Sequence, residues 1–110
     1  MIAKKSDKKF SPIHPGEILR EELLKPYNLT AKQLAKNLKV ETKIINELVE
    51  EQRDITPELS YRLGLYWKIR EDYWLDLQKY YELECWKDQQ ELKKIVKQVQ
   101  PISVDKSTNS

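Results

Sequence analysis

Thr42, Lys43, Asn46 and Glu47 fall within two helical turns of one another in this 110-residue sequence, and all four can hydrogen-bond the edges of nucleobases. Thr42 can donate, accept or touch a thymine methyl; Lys43 can reach guanine or a phosphate; Asn46 suits adenine, and Glu47 can accept from a cytosine amino group. Thr30 and Lys32 upstream, with Arg53 downstream, suit phosphates, because helix N-termini and long cations fix register without reading sequence. A solvated helix surface is the competing reading for each residue. Over 30–56, Lys32, Lys36, Lys39, Lys43 and Arg53 are cancelled by Glu41, Glu47, Glu50, Glu51 and Asp54. One copy of such a segment binds a polyanion weakly.

The elements that must hold these residues read as helices. Gly occurs only at Gly16 and Gly64, while Lys, Leu and Glu dominate, so the chain is expected to be all-α and one small domain. In "HPGEILREELLK", Pro15 suits a first turn, Glu17 complements the helix dipole, and Ile18, Leu19 and Leu23 share a face before Pro26 ends the helix. Thr30 and Gln33 form a capping box for a short second helix over 30–38, with Leu34, Ala35 and Leu38 as its apolar stripe. Ile45, Leu48 and Val49 define a third helix through "ETKIINELVEEQ". Thr56, Pro57 and Glu58 start a fourth over 56–68, with Leu59, Leu63 and Tyr66 or Trp67 inward.

Two short helices joined by a tight turn, clamped by a helix on each side, lay the second of the pair in a major groove. Ala35 must then be small where the helices cross, and Leu34, Val40, Ile45 and Leu48 must hold the angle. With Ile45, Leu48 and Val49 inward, Thr42, Lys43, Asn46 and Glu47 look outward near the start of the third helix. Glu50 and Glu51 fall at its far end, which lifts away from the groove.

Beyond the fourth helix, Trp74, Leu77, Tyr81 and Cys85 recur at helical spacing and the pattern continues through Leu92, Ile95, Val96 and Val99. This region is one long helix or two joined near Asp88. It carries more aromatics than a small core needs, which favours a subunit or partner interface; Tyr73, Trp74, Leu77, Tyr80, Tyr81 and Trp86 form the candidate homodimer seam. Residues 1–10, with Lys4, Lys5, Lys8 and Lys9, read as a flexible basic arm; residues 11–100 as the single domain; and 101–110 as a disordered tail.

Other chemistries find little support. Cys85 is the single cysteine and His14 the single histidine, too few for a structural zinc site, so no metal or cofactor is expected. Cys85 reads as a packed small hydrophobe, and His14 as a ring bonded to a backbone group of the next turn. Without paired carboxylates, an activated nucleophile or a phosphate loop, the chain is not expected to be an enzyme. No apolar run is long enough for a membrane span, and "MIAKKSDKKF" lacks the apolar core of a signal peptide, so the expectation is a cytoplasmic protein with no membrane partner.

The segments "HPGEILREELLKP" (14–26), "LTAKQLAKNLKV" (29–40), "INELVEEQRDIT" (45–56) and "YWLDLQ" (73–78) together resemble the HigA-type, VapI-like antitoxins of the Xre helix-turn-helix group. The resemblance implies a lambda-repressor-like domain of five or six helices with a long aromatic C-terminal helical region. It also implies an antitoxin that dimerises, represses its own operon by binding a palindromic double-stranded DNA operator, and sequesters a HigB-type mRNA-cleaving toxin. Several positions depart from the family pattern. Lys39 stands where Gly is common, which implies mild strain or a different turn. Thr42 and Ile44 replace frequent basic residues, and Glu50-Glu51 replaces a frequent Asn-Gly. Two further readings remain: a stand-alone Xre-type repressor, and an interaction module that has lost specific DNA binding.

Overall fold

A computed structural model describes residues 11–103, so the basic arm and residues 104–110 of the tail lie outside the described residues. Helix α1 (Pro15–Ile18) runs on as a π-helical segment, Leu19–Leu24. It is followed by α2 (Ala31–Leu38), α3 (Thr42–Val49), α4 (Pro57–Trp67), α5 (Tyr73–Asp88) and α6 (Leu92–Gln98). The described residues contain helices and no strands, as the all-α reading expects. The C-terminal region is two helices, broken by a turn after Asp88.

Local chemistry explains where the helices begin. Thr30 Oγ1 accepts from Gln33 N–H at 3.0 Å while Gln33 Oε1 accepts from Thr30 N–H at 2.9 Å, closing the capping box. Thr56 Oγ1 accepts from Leu59 N–H at 3.2 Å, with Pro57 in the first turn of α4. His14 caps α1: its Nδ1 accepts from Gly16 N–H at 2.8 Å. Lys39, after α2, has φ 62° and ψ 43°, so this turn keeps the left-handed geometry usually given to Gly and carries it on a residue with a side chain. Glu51, at the other substituted position, is likewise left-handed at φ 64°.

The helices bury one core of Leu19, Leu24, Leu34, Ala35, Leu38, Ile45, Leu48, Ile55, Leu59, Leu63 and Trp74. Helix α1 packs on α3 and α5, and α4 on α2 and α5. Gly16 is required where α1 meets α3, because a Cβ there would overlap the Leu48 carbonyl oxygen. Buried Gln78 of α5 satisfies the loop before α4, accepting from Ile55 N–H at 2.8 Å. Ser60 of α4 ties the start of α5, donating to Glu71 O at 2.6 Å and accepting from Leu75 N–H at 3.2 Å.

Trp74 corrects the expected dimer seam. Its side chain is 0% exposed and belongs to the core of this chain. The reason is helical spacing: at about 100° per residue, positions 73 and 80 share one face of α5, while 74, 78 and 81 share another. Tyr73, Tyr80 at 63% exposure and Leu83 open to solvent, as does Trp86. Leu77 is half-buried against the core, and half-buried Tyr81 meets the His14 ring edge-on with centroids 4.8 Å apart. The aromatic stretch thus divides into a core stripe and an outward stripe.

Candidate nucleic-acid interface

Helices α2 and α3 make the most extensive inter-helix contact of the fold, and the short connection at Lys39–Glu41 directs α3 across α2. Val40 N–H donates to Ala35 O at 3.0 Å and Lys39 N–H to Lys36 O at 3.2 Å, so the turn closes on the carbonyls that α2 leaves open. Arg62 of α4 reinforces this end, its Nη1 donating to Leu38 O at 2.8 Å. At the far end of α3, Arg20 of the π-helical segment donates to Val49 O and pairs with Glu51 at 3.1 Å. Two guanidinium groups from the flanking helices therefore fix the two ends of the pair.

On this frame Lys43 and Asn46 are exposed and Thr42 is half-exposed on α3, and Thr30 and Lys32 are at the start of α2. These five sequence-selected residues are available to a ligand approaching the N-terminal ends of the two helices. The α3 N-cap, Glu41, makes no side-chain capping bond, which leaves the first α3 N–H groups uncapped.

Glu47 and Arg53 behave differently. Arg53 donates to Glu47 Oε1 from Nε at 3.0 Å and from Nη2 at 2.8 Å. Lys43 Nζ lies 3.8 Å from Glu47 Oε2. The residue selected to read a cytosine and the residue selected to hold a phosphate are partners of each other. Sequence reasoning missed this pairing, which spans a helix end and a loop. It also missed the long-range bonds of Arg20, Arg62 and Gln78, to Val49, Glu51, Leu38 and Ile55, which span between 23 and 31 positions. The appearance of Gln78 within "YWLDLQ" was the one available signal.

His14 links this region to α5. Burial holds its imidazole below the ordinary value, against the opposing influence of Glu51, Asp54 and the Arg53 backbone. A neutral ring is what the cap requires, since Nδ1 must accept from Gly16. Cys85 is half-buried beside Tyr81, whose phenol is pushed up by their hydrogen bond and by burial. Among the described residues no group of three or more His, Cys, Asp or Glu side chains is placed to hold a metal ion. Among them, too, no helix is long and apolar enough to cross a membrane.

A capped two-helix unit with polar side chains on the start of its second helix defines the helix-turn-helix class. The chain is 46% identical over 94 residues to virulence-associated protein I of Dichelobacter nodosus, covering 84% of this chain and 83% of that protein. It superposes on a Pseudomonas aeruginosa protein in complex with 18 bp of its operator DNA, with TM-score 0.76, 37% identity, and 83% and 97% of the two chains covered. It also superposes on Pseudomonas aeruginosa antitoxin HigA with the higBA promoter, with TM-score 0.72, 37% identity, and 84% and 99% covered. No protein-family model matches the sequence. The chain belongs to the HigA-type, VapI-like antitoxins of the Xre helix-turn-helix group.

Proposed function

We propose that this protein is a cytoplasmic antitoxin that binds a palindromic operator as a homodimer, represses its own operon, and neutralises a HigB-type mRNA-cleaving toxin. The observation that carries the DNA-binding half is the start of α3, where Thr42, Lys43 and Asn46 stand clear of the core beside Thr30 and Lys32 of α2. Its support is the 37% identity, over nearly the whole of each solved chain, to proteins determined with operator or promoter DNA. In this reading Thr42, Lys43 and Asn46 meet base edges, while Thr30, Lys32 and Arg53 meet phosphates.

Dimerisation supplies what one neutral reading head lacks, because two linked half-site contacts raise the effective affinity without new contacts. The outward residues Tyr73, Tyr80 and Trp86 are the proposed seam. The half-site centres are then about 34 Å apart, one turn of DNA. Gel shifts and footprints on the native promoter at low and moderate salt test this half: a protected inverted repeat is expected, and protection without one rejects a symmetric dimer. Co-purification with the product of the adjacent reading frame, and relief of its mRNA cleavage, tests the toxin-neutralising half.

A second reading is favoured by the pairing of Glu47 with Arg53 and Lys43, which ties up two candidate DNA contacts. It is an interaction module that keeps the partner surface without operator specificity. Toxin neutralisation in the absence of any promoter shift would select it.

A further inference from the structure

The partners of Glu47 do not fit a residue waiting to read a base. Its carboxylate is divided between two cations: Oε1 takes Arg53 Nε and Nη2 at 3.0 and 2.8 Å, and Oε2 faces Lys43 Nζ at 3.8 Å. Its side chain is 29% exposed, less than Arg53 at 34% or Lys43 at 76%, so the acid sits beneath the cations it neutralises. The loop carrying Arg53 is itself held. Two residues on, Ile55 N–H donates to buried Gln78 at 2.8 Å.

We propose that Glu47 is an internal counter-ion that competes with DNA phosphate for Arg53 and Lys43, and thereby sets the margin between operator and non-operator DNA. This rests on the DNA-binding reading above. Binding to random duplex comes almost wholly from phosphate neutralisation and counter-ion release. A cation that must leave a carboxylate to reach phosphate contributes less to that binding, and it leaves the acid unpaired beside a polyanion. Operator DNA offsets this through the base-edge contacts of Thr42 and Asn46, which Glu47 does not hold; random DNA has no such offset. Glu47 therefore acts through its neighbours, lowering the background.

Glu47→Gln keeps the shape and removes the charge. Glu50→Gln is the matched control, because Glu50 is exposed at the end of the same helix and no ion pair involving it occurs among the described residues. The full chain and these variants, with Glu47→Gln/Arg53→Gln, are titrated on the native promoter and on random duplex of equal length from 50 to 200 mM salt. Glu47→Gln is expected to steepen the log–log salt slope on random duplex by about 0.9 per cation freed, a three- to fourfold larger affinity change over that range. The operator-to-random ratio falls, Glu50→Gln shifts the slope less, and adding Arg53→Gln removes most of the gain.

An equal shift from Glu50→Gln makes the effect one of bulk charge and overturns the proposal. So does an altered preference at one base pair with random binding unchanged, which makes Glu47 a base reader. Loss of operator preference in the unmodified protein would defeat the DNA-binding reading alone. The slope difference on random duplex would still decide whether Glu47 competes with phosphate for Arg53 and Lys43.

Discussion

The α2–α3 pair and the α5–α6 region spend their apolar residues in opposite ways. In the pair, Leu34, Ala35, Leu38, Ile45 and Leu48 are buried and the outward side chains are polar. In α5–α6, Tyr80, Leu83, Trp86, Val96 and Val99 are open to solvent. The first unit completes its packing within one chain. The second completes only the face that carries Trp74, Gln78 and Tyr81. An outward apolar stripe of that composition on a small domain suits a partner interface, so under the proposed function the two regions divide the work: one would present a polar ligand surface and the other an apolar partner surface.

The most forceful way to break this division is to change one residue from each stripe of α5. Trp74→Ala is expected to cost about 3–5 kcal/mol of folding stability, since it empties a fully buried site. Tyr80→Ala should leave the fold intact and weaken self-association. Urea unfolding at several protein concentrations, with sedimentation, checks both. If Tyr80→Ala destabilises as much as Trp74→Ala without altering association, the outward stripe is not a seam.

Next in size is Gly16→Ala, at the contact that sets α3 against α1. The added Cβ meets the Leu48 carbonyl, a backbone atom that cannot swing aside. A loss of about 1–3 kcal/mol is expected, the range for overpacking, with α1 and α3 forced apart. Denaturant unfolding measures the loss. Near-neutral behaviour would mean that α1 can shift without cost, and that the two helices are less rigidly joined than their packing implies.

His14 ties α1 to the second region, capping α1 on one side and meeting Tyr81 of α5 edge-on on the other. Its folded value lies below 6.5 because of burial, so the unfolded chain takes up its proton first as pH falls. This contribution is fully present above pH 6.5, declines as pH drops toward the folded value, and is flat below it. Thermal unfolding between pH 5 and 7.5 should show a rising midpoint that His14→Asn flattens. His14 is the single histidine, so no other imidazole produces that slope. Retention of the slope in His14→Asn would place its origin elsewhere.

What the sequence disclosed follows the range of each interaction. The Thr30–Gln33 box and the Thr56–Pro57 start were legible because each is complete within four residues. The apolar period located α3 and its outward face. The Glu47–Arg53 pair, and the clasps made by Arg20, Arg62 and Gln78, depend on how separate elements approach, which no local pattern encodes. The aromatics of α5 were visible as a group, but only their placement on a helix divides Tyr73 and Tyr80 from Trp74 and Tyr81.

The smallest expected effect tests the two turns that enter these regions. Lys39, before α3, and Lys68, before α5, both close a helix with left-handed backbone, at φ 62° and 59°. Such a conformation costs a residue bearing a Cβ roughly 1–2 kcal/mol, while Gly returns about 0.5–1 kcal/mol through the greater freedom of the unfolded chain. Lys39→Gly and Lys68→Gly should therefore each stabilise the fold by about 1 kcal/mol or less, measurable as a raised urea midpoint at constant slope. Their effects on DNA should differ, because only Lys39 lies beside the start of α3. Lys39→Gly is expected to reduce the salt dependence of duplex binding while Lys68→Gly leaves it unchanged. Equal changes would mean that the DNA surface extends to the α4–α5 turn, and the division between the two regions would have to be redrawn there.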